Sequence, residues 1–497
     1  MEDISKKKAN NDTMGLEAVC VHGHFYQPPR EDPLSGLIPD EIGAEPYRNW
    51  NERIHSECYR PNAALGNFEK ISFNIGPTLF NWMEAFDPET YDAITAQEKK
   101  TYNQNGVGNG MAQPYNHVIL PLANKRDKIT QIKWGIADFE YRFGHQPMGM
   151  WLPETAADLE TLTFLSDNQI EFTILAPWQV TFPDGKAEDQ PYKIALPGNR
   201  KPMTVFLYNR ELSTMVSFVS ESTRNAEYFV KKGLMPIFTT PNGDHSRLTL
   251  IASDGEVYGH HKSFRDKFLA HLLNGAMHQS NLQITYPGLW LINNPPVDYV
   301  KLNEYTSWSC HHGVIRWMGE CDCTLGAKWK APLRWGLDKL AESLDHQYQV
   351  YMRQFTRRVW QLRNAYIHVM LGQISIDDLL KQYINRSLTK TDIKMIGMLL
   401  AAQYERQRIF TSCGWFFDQF HRIEPQNNIA YAAQAVWLTK QVTGIDLKPK
   451  ALALLRKVKD QRTGLRGDTV FAERYQRTED FAEEDISYFN PSSNFST

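Results

Sequence analysis

The chain has 497 residues, a formal net charge of −3 at pH 7, and 42% apolar and 22% charged residues. Its length predicts two or three domains, and its composition is that of a soluble globular protein. The small negative charge gives no reason to expect nucleic acid or an anionic membrane as a partner. The sequence also lacks an 18-residue apolar run that would predict a transmembrane helix.

The N-terminal residues 1–15 are polar and contain no apolar stretch before Leu16. We expect a disordered tail there rather than a secretory signal. Six cysteines in a chain of this length do not suggest a disulfide framework. A cytoplasmic, reducing location is therefore expected.

Short β-rich runs alternate with helical stretches over roughly the first 300 residues. This alternation predicts an α/β fold with a parallel sheet, open or closed as a barrel. Pro77 suits the first position of the helix after the second run. The predicted strands are residues 16–25, 70–76, 148–154, 172–177, 203–209 and 248–254.

After about residue 330, apolar residues recur at helical spacing and strand patterns end. Residues 331–497 are therefore predicted to be all-helical. The resulting domain boundaries are a tail over 1–15, a catalytic region over 16–330 with loop insertions, and a helical domain over 331–497. Core packing is the expected use of Trp415, Phe416 and Phe417.

Two carboxylates lie at predicted strand ends, Glu154 and, 100 residues later, Asp254. The carboxyl ends of parallel strands hold the active site in barrels and open sheets alike. Glycoside hydrolysis requires such a pair, one to attack or to activate water and one to protonate the leaving oxygen. The alternative for Glu154 is a structural carboxylate at a helix N-terminus. Glu256 could orient a histidine or compete with Asp254 for the acid role.

Histidines accompany both strand ends. His22 and His24 are two apart in an extended segment and should point to the same side. They could bind a metal, contact substrate hydroxyls, or hydrogen-bond a carboxylate. Cys310, His311, His312, Cys321 and Cys323 resemble a zinc set by residue type, but their spacing differs from paired Cys-x-x-Cys knuckles. Buried free thiols beside substrate-facing histidines are the favoured interpretation, so no metal and no cofactor are expected.

Four motifs occur in the order found in glycoside hydrolase family 57, and the chain resembles that family. They are HGHFYQP (22–28), YNHVILPL (115–122), GMWLPE (149–154) and SDGEVYGHH (253–261). A fifth motif is placed at TSWSCHHG (306–313). The resemblance is strongest to a branch in which an additional domain follows the catalytic one. The first motif departs from the usual His-x-His-Gln-Pro, since Phe25 and Tyr26 separate His24 from Gln27.

The resemblance implies an irregular seven-stranded (β/α) barrel, a helical domain behind it, and retention of anomeric configuration on α-glucans. It implies that Glu154 is the nucleophile and Asp254 the acid/base. Asp254 would then need a raised pKa, supplied by the negative charge of Glu154. The residues assigned to substrate binding are His22, His24, His117, Trp151, His260, Glu256, Trp308 and His311.

The partner expected from these residues is an oligo- or polysaccharide, with neither nucleic acid nor membrane. Hydrolysis and transfer to a sugar acceptor both remain open. Two other classes also remain: a metal-dependent, polysaccharide deacetylase-like hydrolase, and a catalytically silent glycan-binding protein. Retention of both Glu154 and Asp254 argues against the silent protein.

Overall fold

The computed structural model describes residues 17–183, 190–238, 246–280 and 282–484, without the side chains of 483 and 484. The predicted tail over 1–15 lies outside these residues. The strands are β1 (Glu17–Phe25), β2 (Ser72–Ile75), β3 (Phe172–Leu175), β4 (Val180–Thr181), β5 (Tyr192–Ile194), β6 (Met203–Leu207), β7 (Arg247–Asp254), β8 (Gln283–Ile284) and β9 (Lys301–Leu302).

Parallel pairing dominates the sheet, as the alternating pattern predicted. β1 pairs in parallel with β2, β7 and β8, and β3 pairs in parallel with β6. β5 is antiparallel to β6, and β4 to β9. The side chains of β1 and β7 are buried almost throughout, which is expected when a parallel sheet is covered on both faces.

The predicted strand over 148–154 is only partly formed. Gly149 bridges Phe172 and Met150 bridges Ala112, so this segment lies between a short extended segment and β3. A further bridge joins Phe73 to Gly110, and the amide of Asn209 donates to the carbonyl of Leu250 on β7 at 2.7 Å. Isolated contacts therefore continue the parallel sheet where regular strands are absent.

Helices cover the sheet and follow its strands. α3 begins at Pro77, as predicted. The helices of this region are α1 (Trp50–Ile54), α2 (Arg60–Ala64), α3 (Pro77–Phe86), α4 (Pro88–Asn105), α5 (Lys125–Phe143), α6 (Leu159–Asp167), α7 (Arg210–Phe218), α8 (Ala226–Phe229), α9 (Met235–Phe238), α10 (Arg265–His271), α11 (Met277–Gln279) and α12 (Pro287–Asn293).

The described residues after 330 are helical, as predicted. A turn at 353–358 interrupts the helical pattern although it contains neither Gly nor Pro. The Thr356 hydroxyl accepts from the amide of Arg358 there. The helices are α13 (Lys330–Met352), α14 (Val359–Ala365), α15 (Ile367–Met370), α16 (Ile376–Tyr383), α17 (Lys390–Arg408), α18 (Cys413–Phe416), α19 (Ile423–Thr443), α20 (Lys448–Leu455) and α21 (Gly467–Glu484).

The helical region docks onto α5 through buried polar contacts. The Asp127 carboxylate on α5 pairs with Arg406 at 2.7 Å and Arg363 at 3.2 Å. Both arginines also approach Asp345, at 2.9 and 3.8 Å. Trp415 is buried as expected, whereas Phe417 is 39% exposed. No helix in the described part of the chain is long and apolar enough to cross a membrane.

Candidate active site

Glu154 lies in a single helical turn, Pro153–Thr155, beyond the sheet segment that contains Gly149 and Met150. Its φ of 58° is left-handed, which is uncommon for a residue other than glycine and typical of functional sites. The helix-cap alternative is wrong, because α6 begins five residues later and Asp158 caps it by accepting from the amide of Thr161.

The Glu154 carboxylate is held through one oxygen. The indole Nε1 of Trp308 donates to Oε2 at 3.0 Å, and the Ser309 hydroxyl donates to the same oxygen at 2.6 Å. The other oxygen, Oε1, receives no hydrogen bond from the described residues. Burial raises the pKa of Glu154, while the bonds from Ser309 and Trp308 and the charge of Arg316 oppose that rise.

Asp254 ends β7, directly opposite His24 in the register with β1. Its side chain is 49% exposed, and Oδ2 lies 3.5 Å from Nε2 of His261. Burial favours a higher pKa, but His261, the charge of His24 and the amide of Glu256 outweigh it, so the pKa of Asp254 is lowered. The expectation of a raised pKa is therefore wrong, because the contacts with His261 and His24 and the amide of Glu256 outweigh the effect of burial.

Glu256 lies in the single helical turn Gly255–Val257 that follows Asp254. Its side chain is only 3% exposed. Gln27 Nε2 lies 2.8 and 2.7 Å from its two oxygens, and the Tyr59 hydroxyl donates at 2.6 Å. Burial and the charge of Asp254 raise the pKa of Glu256 to about 7. This carboxyl group is therefore partly protonated near neutral pH.

His22 and His24 point to the same side of β1, as expected. Both rings approach Asn74 Oδ1 at 3.3 Å and stack on Trp151, with centroids 4.8 and 5.1 Å apart. Burial lowers the pKa of His22 to about 3 and that of His24 to about 4. Both are therefore neutral at pH 7, and each retains one donor and one acceptor nitrogen.

His117 joins the same stack and connects it to the helical region. Its Nε2 lies 3.3 Å from His24 Nε2, and its ring stacks on Tyr26 with centroids 3.7 Å apart. Its Nδ1 lies 2.7 Å from the hydroxyl of Ser412, which directly precedes α18. Its backbone is also left-handed, with φ of 52°. The helical region therefore supports a predicted site residue directly.

The aromatic side chains connect the two carboxylates. Trp151 packs edge-on against Trp308 at 5.0 Å, and His24 lies 6.3 Å from Trp308. A continuous set of contacts therefore runs from Glu154 through Trp308 and His24 to Asp254. Trp151 and His22 are fully buried, so in this structure they back His24 rather than present a surface to a ligand.

The histidines that follow the candidate carboxylates have different partners, and the assignment of His260 and His311 to substrate binding stays a prediction. His261, not His260, lies beside Asp254, and it is also 3.9 Å from Glu256. His260 Nδ1 lies 2.6 Å from Glu57 Oε2 instead. His311 is exposed, while its neighbours Trp308 and Ser309 hold Glu154.

Among the residues that the structure describes, two groups of side chains have metal-ligating atoms within 4.8 Å of one another. The first is Asp254, Glu256 and His261. Both oxygens of this Glu256 lie within hydrogen-bond distance of the Gln27 amide, so its position is explained without a metal. The second group, Cys310, His312, Cys321 and Cys323, lies in the loop that follows Ser309.

Several supporting residues were missed by the sequence reasoning. Ser309 and Asn74 are adjacent to or paired with predicted residues, yet neither type signals a site by itself. Tyr59 comes from a segment without a recognised motif, 197 residues from Glu256, and Ser412 lies 295 residues from His117. Three of these residues lay in segments that gave a signal: Asn74 in the predicted strand 70–76, Ser309 in the fifth motif, and Ser412 in SCGWFFDQF (412–420), through which the resemblance to family 57 continues more loosely.

Comparisons with known proteins agree on one family. A model described as glycosyl hydrolase family 57 matches residues 24–289, and a domain of unknown function (DUF3536) matches residues 326–479. The chain is 23% identical to the 4-alpha-glucanotransferase of Thermococcus litoralis over 42% of this chain and 30% of that protein. It is likewise 23% identical to alpha-amylase 1 of Dictyoglomus thermophilum over 42% and 29%. The matches thus span about a third of these relatives' length.

Solved structures resemble the chain over most of its length. An exo-type maltose-forming amylase from Pyrococcus sp. ST04 aligns with a TM-score of 0.72 at 15% identity, covering 93% of this chain and 88% of that one. A family 57 branching enzyme from Thermococcus kodakaraensis aligns with a TM-score of 0.56 at 15% identity, covering 95% and 96%. At such identities the likeness shows the fold alone. Since the family 57 model matches more than half of the residues of this chain, the chain belongs to glycoside hydrolase family 57.

Proposed function

We propose that the protein is a retaining enzyme of α-glucans in which Glu154 is the nucleophile and Asp254 the acid/base. The observation that carries the proposal is the environment of Glu154. Two donors fix Oε2 of a carboxylate in a left-handed turn, and Oε1 receives no hydrogen bond from the described residues. A carboxylate oriented through one oxygen can offer the other to an anomeric carbon.

The proposed reaction has two steps. Glu154 Oε1 attacks the anomeric carbon as the glycosidic bond breaks, and Asp254 gives its proton to the departing oxygen. Asp254 then takes a proton from water or from a sugar hydroxyl, which displaces Glu154 from the glycosyl-enzyme. The half-exposed position of Asp254 supports this role over Glu256, whose carboxyl group is held inside by Gln27 and Tyr59.

The proton for the first step has a source beside Asp254. His261 has a raised pKa because Asp254 lies next to it, and Glu256 has a pKa of about 7. We infer that one of these groups supplies the proton when a bound sugar removes water from Asp254. The negative charge of Glu154 then favours a protonated Asp254 in the closed site.

The neighbouring residues fit a sugar better than an ion. His24, with a pKa of about 4, is neutral and therefore offers an anion no positive charge at pH 7. Relatives named as amylases and as a 4-alpha-glucanotransferase support α-glucans as the substrate class. The same relatives leave hydrolysis and transfer as two variants of one mechanism.

We also infer that seven extended segments complete the irregular barrel around this site.

Azide rescue tests the two roles separately. With an aryl α-maltooligoside carrying a good leaving group, Glu154→Ala should lose activity by several orders of magnitude. Asp254→Ala should lose turnover (kcat) strongly, because attack of water on the glycosyl-enzyme needs its base. Azide should restore Glu154→Ala with a glycosyl azide of inverted configuration, and Asp254→Ala with one of retained configuration. Glu160→Ala, which removes an exposed carboxylate on α6, is the matched control and should retain activity.

Unchanged turnover in either site variant would refute the assignment. So would an azide product of the opposite configuration in either one. Incubation of the wild-type protein with maltooligosaccharides then separates the variants of the mechanism, since transfer gives products longer than the substrate and hydrolysis gives only shorter ones.

A further inference from the structure

The loop after Ser309 gathers four soft ligands at one point. Cys310 and Cys321 are buried, Cys323 is exposed, and the His312 side chain is 36% exposed. His312 Nδ1 lies 3.8 Å from the sulfur of Cys310 and 3.6 Å from that of Cys323, and the sulfurs of Cys310 and Cys321 are 4.0 Å apart. All four ligating atoms lie within 4.8 Å of one another.

The three stated separations, 3.6, 3.8 and 4.0 Å, are close to the edges of a zinc tetrahedron. With Zn–S bonds of about 2.3 Å and Zn–N bonds of about 2.0–2.1 Å, tetrahedral geometry places two sulfurs about 3.8 Å apart and a sulfur and a nitrogen about 3.6 Å apart. A disulfide would instead require an S–S distance of about 2.05 Å. The observed 4.0 Å between Cys310 and Cys321 fits two ligands of one ion rather than a covalent bond.

The other nitrogen of His312 gives an independent indication. Nδ1 faces the sulfurs, while Nε2 lies 3.6 Å from the carboxylate of Asp322. A histidine that binds a metal through one nitrogen usually directs the other to a carboxylate or carbonyl, which fixes its tautomer. The hydroxyl of Thr324 also lies 3.4 Å from the sulfur of Cys321 and can donate to a thiolate.

We propose that Cys310, His312, Cys321 and Cys323 bind one Zn²⁺ as a structural site. Four protein ligands fill a tetrahedral ion and leave no position for substrate, so the site is structural rather than catalytic. The sequence reasoning set this possibility aside because the spacing is Cys-x-His followed by Cys-x-Cys rather than two Cys-x-x-Cys pairs. Folding brings the two halves together across eight intervening residues, 313–320.

The zinc site lies in the same loop as residues that contact Glu154, so binding of the ion would affect the candidate active site. Cys310 directly follows Ser309, whose hydroxyl holds Glu154, and Trp308 precedes both. Arg316, whose charge opposes the rise in the Glu154 pKa, lies between the two pairs of ligands. The ion thus fixes the loop that supplies the main contacts of Glu154.

Metal content tests the proposal without reference to activity. The protein is expressed without a tag in medium with added zinc and is desalted under reducing conditions. Inductively coupled plasma mass spectrometry should then find about one zinc ion per chain. His312→Ala and Cys323→Ser should lose most of it. His311→Ala is the matched control, because it removes the adjacent exposed histidine outside the cluster, and it should keep the zinc. Replacement by Co²⁺ should give the intense visible spectrum of a tetrahedral thiolate site.

Three results would overturn the proposal. The first is wild-type protein without zinc whose Cys310 and Cys321 form a disulfide or react as free thiols. The second is zinc that survives in both ligand variants, and the third is zinc lost equally in His311→Ala. Should the ligand variants fail to fold, the Co²⁺ spectrum of the wild-type protein decides, since an octahedral or thiolate-free spectrum contradicts the assignment.

Discussion

Removing the Ser309 hydroxyl should raise the pKa of Glu154. That hydroxyl donates to Oε2 at 2.6 Å, and hydrogen bonds to charged groups contribute about 1.5–3 kcal/mol. One pKa unit corresponds to about 1.36 kcal/mol, so losing the bond should raise the pKa by about 1–2 units. Trp308 remains as a donor and keeps the carboxylate in place.

The sign of the kinetic effect follows from the role proposed for Glu154. The nucleophile must be ionised, so activity falls as pH drops through its pKa. In Ser309→Ala the acidic limb of kcat/KM should therefore move to higher pH by about 1–2 units. An aryl α-maltooligoside with a good leaving group is the suitable substrate, because its departure needs little help from an acid and the limb then reports on Glu154.

Ser307→Ala is the matched control for this experiment. It removes the same atoms from the same loop, but the Ser307 hydroxyl donates to the carbonyl of Gly313 rather than to Glu154. Its acidic limb should coincide with that of the wild-type protein. The reasoning fails if the limb of Ser309→Ala does not move, or if both variants move equally, since the second result would indicate a disturbed loop rather than a lost hydrogen bond.

Two further predictions concern other buried carboxylates. Glu256→Gln should remove a step near pH 7 from the kcat/KM profile, because the Glu256 pKa is about 7 beside Asp254. Glu98→Gln, which alters a buried carboxylate outside this cluster, should leave the step in place, and an identical profile in Glu256→Gln would contradict the assignment. Asp127→Asn should destabilise the protein by about 1.5–3 kcal/mol, since two buried arginines lose one charged partner and keep Asp345. Its melting temperature should fall well below that of Glu342→Gln, which alters an exposed ion pair, and equal values would refute the prediction.

The same Asp127 defines an acid limit to stability. Arg406 and Arg363 lower its pKa in the folded protein despite its burial. The stabilisation from this carboxylate is therefore present above its ordinary pKa and is lost as pH falls through the lowered value. We therefore expect this contact between α5 and the helical region to weaken in strong acid and to remain near neutral pH.

The order of strands and helices could be predicted from the sequence because it depends on local patterns. Buried strands such as β1 and β7 are short apolar runs, and Pro77 begins α3 as its fixed φ allows. The strand predicted over 148–154 failed in part, because the chain leaves the sheet after Met150 to place Glu154 in a left-handed turn. Local pattern does not encode that strain, which the contacts of Trp308 and Ser309 compensate.

The candidate carboxylates were found because strand ends and motifs indicate them, whereas their partners depend on tertiary structure. His261 rather than His260 reaches Asp254 because the chain turns tightly at Gly255. A one-residue choice of this kind follows from backbone geometry, not residue type. The lowered pKa of Asp254 also depends on the folded structure, because it results from the positions of both His261 and His24. It could therefore not be predicted from the sequence.

The contacts that complete the site come from outside the four motifs, and this bears on how specificity arises. Glu154 depends on the loop of Trp308 and Ser309, and His117 depends on Ser412 of the helical region. The motif residues must keep their geometry for the proposed reaction to occur. We therefore expect that differences in substrate range arise from substitutions in these supporting segments. The departure at Phe25 and Tyr26 fits the same logic, because the Tyr26 ring stacks on His117 and its hydroxyl lies 3.5 Å from the sulfur of Cys413. Ser412 and Cys413 of the helical region thus contact His117 and Tyr26. If the proposed function is correct, we expect substitutions at this contact to alter the range of substrates more than the rate of bond cleavage.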